Sequence, residues 1–543
     1  MNIYIKSNGI PLKSMASALA SIGFTVLLAG CGGSDSSAPP APPPSPTVSI
    51  DVFGARGTTL TAVVNSTNCS VTPTVSWQAS SGVALGTGTS VQDTQPNSAV
   101  TATASCSTAT ASQTLQANSV YSALAAFAVT QNGTAYAWGN PVWGGQNASS
   151  SVITGIAQLF PSDRGFAALL TDGTVKVWGS SYVSPTTATS ALTNIASIIP
   201  GRVAFFGVKK DGSFTAWGTY RGVLSGVDVP FNDPNYGLNA ATVASLTNIK
   251  SIASTEGAYA AIKADGTVVA FGDADTGGDA SSVQSQLTNV IQVVGTNYDF
   301  VALRKDGTVV SWTGSFGWAI PTSDQVVTNV KNLTAGGAIA VATTNAGITF
   351  GFGYANDIEA VDTRILNSNG ILTNITNVYS TQTAFAALRA DGTVVSWGDL
   401  PRMQASLTTA QASLNKVKSI QSTEYAFAAL KADGTVVSWG DPSVGGDSSA
   451  VTAQLTNVVS ITANKYAFAA LKADGTVVTW GMPSKGGDSS AVTAKLVNVR
   501  AIYATPFGAF LAVSKDGTFT SWGDQWAGGG AVPAALTKIP FSS

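Results

Sequence analysis

Few residues in this chain have side chains suited to covalent or acid–base chemistry. Among 543 residues there is no His and there are only 3 Cys. Without imidazole there is no His general base, no Ser-His-Asp or Cys-His nucleophile, and none of the usual zinc sites. Lys plus Arg number 27 and Asp plus Glu 29, a net charge of −2. With cations this sparse a large basic patch is not expected, which argues against electrostatic nucleic-acid binding. Carboxylates recur singly, eight of them as Asp before Gly. Three Gly-Gly-Asp runs, at Gly277, Gly445 and Gly486, offer one carboxylate each, too few for the six to eight oxygens of a Ca²⁺ site. No phosphate-binding or dinucleotide fingerprint is present. The expectation is no catalytic residue, no metal and no cofactor: a binding protein, not an enzyme.

The Asp-Gly pairs belong to a repeat. Turn glycines fall at 133, 173, 212, 266, 307, 347, 392, 434, 475 and 517, spaced 39 to 45 residues apart except for one interval of 54. Nine carry Asp-Gly or Asn-Gly, the strongest hairpin signal because both central residues tolerate positive φ; the sixth has Asn345-Ala346-Gly347. Before each turn runs a small apolar strand such as Ala426-Phe-Ala-Ala-Leu430. After it comes a β-branched and aromatic strand ending Trp439-Gly440. An upstream run, Asn457 to Thr462, supplies a third strand. Each unit reads as a three-stranded meander with room for a shorter fourth edge. Such a unit is unstable alone and must stack on its neighbours. Ten units of about 40 residues predict an all-β propeller over 118–543.

These repeats resemble the regulator-of-chromosome-condensation family, and more closely the bacterial β-lactamase-inhibitor propeller of the same superfamily. The match rests on Ala429-Leu430, Asp433-Gly434 and Trp439-Gly440, repeated along the chain. That family has a His before its Ala-Leu and Gly-Gln-Leu after its Trp-Gly; here Phe, Tyr or Ala and Gly-Gly-Asp stand instead. Rings of that family have seven blades, so ten repeats leave a wide ring, a seven-plus-three split and an open arc as alternatives. Leu536 to Pro540 resembles the start of another repeat's first strand, and its pairing with the first repeat is expected to close a ring.

Residues 47–117 show short alternating runs, among them Val48 to Val52 and Thr74 to Gln78, that predict a β-sandwich. Cys69, Trp77 and Cys106 lie in the order of an immunoglobulin-like domain, which is expected to serve as a stalk. Ahead of it, residues 1–30 carry Lys6, Lys13, an apolar stretch from Met15 to Ala29, and Leu27-Leu28-Ala29-Gly30-Cys31. This resembles a bacterial lipoprotein signal peptide with its lipobox. The resemblance implies lipidation of Cys31 and a membrane anchor, and Gly32 in place of Asp implies outer-membrane sorting. Residues 31–46 are a Ser/Gly/Pro-rich tether. In an oxidising compartment the remaining Cys69 and Cys106 are expected to pair.

Eight Trp residues sit in the Trp-Gly slot and read as core. Trp143, Trp318 and Trp526 lie in connecting loops, where aromatics anchor partners. The long insertion after Trp217 holds Tyr220 and Tyr236 and is the expected recognition loop. The functional expectation is a lipid-anchored envelope protein of the outer membrane, binding an unidentified protein or glycan as a surface module or adhesin. The alternative is a periplasm-facing scaffold or inhibitor. An enzyme on envelope polymers stands behind both, and no nucleic-acid partner is expected.

Overall fold

The computed structural model describes residues 44–146, 153–183, 192–221, 228–230, 240–313, 328–336, 339–353, 372–398, 406–536 and 538. Residues 46–543 form one compact unit. The first part is a pair of small sheets. Strands β1 (Thr47–Phe53), β2 (Thr59–Thr67) and β5 (Ser90–Gln92) make one. Strands β3 (Thr74–Ala79), β4 (Ala84–Thr87), β6 (Val100–Cys106) and β7 (Ala109–Leu115) make the other, in the order β4-β3-β6-β7. Strict alternation of buried and exposed residues along β3 turns Val75, Trp77 and Ala79 inward, onto Val52, Leu60 and Leu115. The Trp77 indole donates to the Gly88 carbonyl at 2.8 Å, so the buried N–H is satisfied. Cys69 and Cys106 are disulfide-bonded, Cα atoms 5.8 Å apart.

Among the described residues, ten three-stranded antiparallel sheets follow between Val120 and Gly523, each built from consecutive strands. The third alone has a fourth strand, Asp228–Pro230, paired to an extension of Phe214–Arg221. The fourth-edge position expected elsewhere holds 3₁₀ turns instead, such as Ser449–Gln454 and Ser490–Lys495. The Gly-Gly start of these connections and their run of small residues give no apolar alternation to pair as a strand.

The hairpin turns differ from the expected two-residue form. In the first sheet, Asn132 (φ 51°) and Gly133 (φ 72°) both have positive φ and join Gln131 directly to Thr134. In the others only the glycine does. The eighth is representative: Lys431 N–H donates to Thr435 O at 2.9 Å, Gly434 N–H to Lys431 O at 3.0 Å, and Gly434 has φ 78°. That is a three-residue loop, a turn closed by a left-handed glycine. Asp433 Oδ1 accepts from the Thr435 N–H and hydroxyl at 3.0 and 2.6 Å, which holds its carboxyl below the usual carboxylate range. The recurring aspartates are therefore turn formers.

A second recurring device precedes the first strand of the third to tenth sheets. Seven asparagines, from Asn194 to Asn498, take the left-handed conformation, and Lys416 (φ 53°) occupies the same place in the eighth sheet. Asn tolerates this region; a lysine does not benefit in the same way. Lys416→Asn is expected to raise stability by about 0.5–1 kcal/mol, read as a higher urea midpoint.

The sheets pack through complementary faces of their middle strands. In the eighth, Ala426, Ala428 and Leu430 form a small face that receives Phe468, Ala470 and Trp480 of the ninth. Its bulky face, Phe427, Ala429 and Trp439, fills the corresponding face of the seventh. The same interface joins the tenth sheet to the first: Ala509, Leu511 and Val513 pack on Phe127, Val129 and Trp138. Phe507 N–H also donates to Leu124 O at 2.9 Å across this seam. The first strands together surround one cavity of about 1020 Å³, to which every sheet contributes, from Ser122 of the first through Asn297 of the fifth to Ala504 of the tenth. This is a propeller-type arrangement whose first and last sheets meet. The segment expected to close it by strand pairing, Leu536 to Pro540, is described only at Leu536 and Lys538. Leu536 packs at the seam and the Lys538 carbonyl accepts from Gln131 Nε2 at 3.2 Å, but neither residue lies in a strand. A complete tenth sheet presenting the standard interface leaves no gap for an added strand.

Nor is the sandwich a free stalk. Phe53 is fully buried among Ala467, Leu496 and Phe510. Gly54 N–H donates to Arg500 O at 3.0 Å, and the Thr61 hydroxyl to Val459 O at 3.1 Å. Asp51 meets Lys515 at 3.1 Å and Arg500 at 3.6 Å. The sandwich is thus seated on the ninth and tenth sheets, at the end of the ring where the hairpin turns lie.

Candidate functional site

The opposite end of the ring carries the cavity mouth, and it is built by the short connections between first and second strands. Main-chain bonds tie these connections into a belt: Asp163 N–H to Arg202 O at 2.9 Å, Glu424 N–H to Lys465 O at 2.9 Å, Lys465 N–H to Pro506 O at 3.1 Å. Their side chains ring the mouth. Arg202 bridges Asp163 at 3.3 Å and Glu256 at 3.5 Å. Asp163 is about one-third open to solvent, yet the mouth walls strip enough water to push its carboxyl above the usual value, with Arg202 pulling it back. Exposed pairs of this kind add little stability; their effect is to fix the charge pattern of the mouth.

Beside the mouth, at the seam between the tenth and first sheets, loops from four sheets bring aromatic and cationic side chains together. The turn Pro141–Trp143 carries Trp143, and the turn Gln525–Ala527 carries Trp526. Asn140 and Asp524 cap these turns with 2.8 Å bonds to the Val142 and Trp526 N–H groups. Both turns end at a glycine of left-handed φ, Gly144 (93°) and Gly528 (104°). The two indoles meet edge-on at 5.2 Å, and Phe507 lies 4.8 Å from Trp143. The Arg164 guanidinium sits over Trp143 at 5.4 Å and over Tyr182 at 4.9 Å. Lys465 lies over Phe507 at 5.0 Å. Trp526 is 51 % exposed, one of few large apolar side chains so open.

Of the residues singled out from sequence, Trp143 and Trp526 come together here. Tyr220 lies in the extension of Phe214–Arg221, opposite Val229. Tyr236, Trp318 and Cys31 lie outside the described residues. Arg164, Tyr182, Lys465 and Phe507 were not anticipated. Arg164 and Phe507 each stand just before a middle strand, where the eighth and ninth sheets have Tyr425 and Tyr466; aligning the repeats on their first strands would have exposed this position.

The Gly-Gly loops prove structural. The indole N–H of Trp480 donates to Gly445 O at 3.0 Å, Trp522 to Gly486 O at 3.1 Å, Trp312 to Gly277 O at 2.9 Å, and Trp138 to Gly528 O at 3.1 Å across the seam. Trp439, whose preceding loop lacks Gly-Gly, uses the Ser396 hydroxyl at 3.0 Å. Asp279, Asp447 and Asp488 each accept a 2.8 Å bond from a main-chain N–H two residues on. Among the described residues no group of three or more Cys, Asp or Glu side chains is arranged to hold a metal.

No family model and no curated protein matches the chain. Solved structures give partial likenesses. Prp20p from Saccharomyces cerevisiae is 16% identical with a TM-score of 0.28, covering 45% of this chain and 74% of that one. Human WBSCR16 is 16% identical with a TM-score of 0.27, covering 43% and 76%. The ectodomain of the Physcomitrella patens receptor kinase CR4 is 16% identical with a TM-score of 0.28, covering 51% and 73%. The propeller-type reading rests on the sheet order, the repeated interfaces and the shared cavity described above.

Proposed function

We propose that this chain is a lipid-anchored bacterial envelope protein, sorted to the outer membrane through Cys31, whose ten-bladed propeller binds a protein partner through the mouth face. The immunoglobulin-like sandwich then positions the ring relative to the anchor. One observation carries the binding reading: the seam patch of Trp143, Phe507 and Trp526 with Arg164 has the composition of an interface hot spot. Trp, Tyr and Arg dominate such spots because they add large area at low entropic cost. The absence of His from the chain, and of a carboxylate cluster among the described residues, favours binding over catalysis.

The test is affinity capture from envelope extracts with wild-type chain and Trp526→Ala. Truncating a hot-spot Trp typically costs 2 kcal/mol or more, so partner affinity should fall about 30-fold, with circular dichroism unchanged because Trp526 is exposed. Equal capture by both chains would move the interface elsewhere. Protease shaving of intact cells then separates the two orientations. Loss of the head places it outside, as an adhesin requires; survival until the outer membrane is permeabilised favours a periplasmic scaffold or inhibitor.

A further inference from the structure

The hairpin face, opposite the mouth, has a charge distribution that the whole-chain balance conceals. From the second sheet to the tenth, the first strand bears a bulge at its second residue, which is exposed where nothing covers it. In the fourth, sixth and eighth sheets that residue is Lys250, Lys331 or Lys418. In the ninth and tenth it is Val459 or Arg500, covered by the sandwich. Three further exposed lysines join this arc: Lys210 and Lys305 at hairpin turns of the third and fifth sheets, and Lys416 beside Lys418. Among the described residues none of the six has an ion-pair or hydrogen-bonding side-chain partner. The turn acids of this face, Asp211, Asp265, Asp306 and Asp391, each accept from the Ser or Thr two residues on. At the mouth face Arg202 and Lys485 are ion-paired, and Arg164 and Lys465 lie over aromatic rings.

We infer that this lysine arc is a binding surface for an acidic polysaccharide. Spaced, flexible point charges along a curve match a polymer with a repeating carboxylate or sulfate, which needs neutralisation at intervals and no fixed fork. The six are all Lys, and Arg304 beside Lys305 is engaged by Asp306 at 3.6 Å, so the arc offers no free fork of the kind bidentate phosphate recognition favours; among the described residues none of the six is stacked on an aromatic ring, as single-strand nucleic-acid binding would require. An anionic bilayer is disfavoured by the sandwich standing on the same face. From Asp51, β1 continues four residues back to Thr47, about 13 Å at 3.3 Å per residue, beyond the Debye length of about 8 Å at physiological salt.

The experiment measures binding of the full chain to immobilised polygalacturonate, with neutral dextran, single-stranded DNA and phosphatidylglycerol vesicles as comparisons. Binding should appear at low ionic strength and weaken as salt rises. The triple change Lys250→Gln, Lys331→Gln, Lys418→Gln should reduce it about tenfold, whereas Lys495→Gln, on an outer connection, should leave it intact. All four side chains are exposed, so the fold is expected to survive, and circular dichroism checks this. Absence of polygalacturonate binding at low salt, equal binding by the triple variant, or preferential capture of DNA or vesicles would overturn the assignment. Trp526→Ala, which tests the mouth face, should leave this binding unchanged.

Discussion

Gly445→Ala is expected to destabilise the chain by about 2–5 kcal/mol, from left-handed strain of about 1–2 kcal/mol and overpacking of about 1–3. Gly445 has φ 100°, and a Cβ there would lie 2.6 Å from Phe468 Cδ2 and 2.9 Å from Cε2. Phe468 cannot retreat, because it stacks on Trp480 at 5.1 Å and fills the face of the eighth sheet. The same displacement would pull the Gly445 carbonyl from the Trp480 indole, leaving a buried donor without its acceptor. Gly530→Ala is the contrast: a Cβ there meets nothing nearer than 3.9 Å and the φ is not left-handed, so the change should be within about 0.5 kcal/mol of neutral. Urea unfolding followed by Trp fluorescence compares the two. Repeat arrays can unfold in parts, so amide exchange in residues 458–481 locates the loss.

Asp93→Ala is expected to cost about 3–5 kcal/mol, the usual effect of leaving a buried charge unpaired. Arg56 Nε meets Asp93 Oδ2 at 2.7 Å, with side-chain exposures of 2% and 0%. The guanidinium also donates to the Gln95 and Ser98 carbonyls at 2.7 Å and to the Gln116 carbonyl. Arg56 therefore joins the β1–β2 connection to the segment leading into the first sheet. Without Asp93 the cation must either stay unpaired or move out, loosening the seat of Phe53. The variant should show a lower urea midpoint and faster proteolysis between residues 116 and 119. Replacing both partners, Arg56→Met with Asp93→Leu, should recover only part of the stability, because it removes the orphaned charge but leaves the Gln95, Ser98 and Gln116 carbonyls without their donor. Unchanged stability in Asp93→Ala would mean that the pair does not organise this junction.

Much of the architecture is legible in the chain because its signals are local and repeated. Asp433-Gly434 marks a turn, Ala426 to Leu430 a buried strand, Trp439-Gly440 a strand end. The turn type was not legible: Asn132-Gly133 and Asp433-Gly434 look alike, but in the second the strands end a residue apart and Ala432 enters the loop. The role of the Gly-Gly runs was hidden for a different reason. Their constraint is the Phe of the next sheet and the carbonyl needed by its Trp, both distant in sequence. The candidate site was half legible. Trp143 and Trp526 stand out as loop aromatics, but 383 residues separate them and only closure of the ring makes them neighbours. Phe507 and Arg164 were missed because the connection before each middle strand is short and resembles strand. Tyr425-Ala-Phe reads as one run, although Tyr425 faces the mouth and bonds Gln382 at 2.6 Å. The lysine arc escaped because composition averages over the whole surface and does not show which lysines share a face.

The central claim is that partner recognition occurs at the mouth-face seam. Site-specific photo-crosslinking in the full chain tests it most directly, with a benzophenone side chain placed at position 526 or, on the hairpin face, at position 305. The account predicts a discrete crosslinked protein from position 526 and its absence from position 305. The same protein crosslinked from position 305 and not from 526 would contradict it.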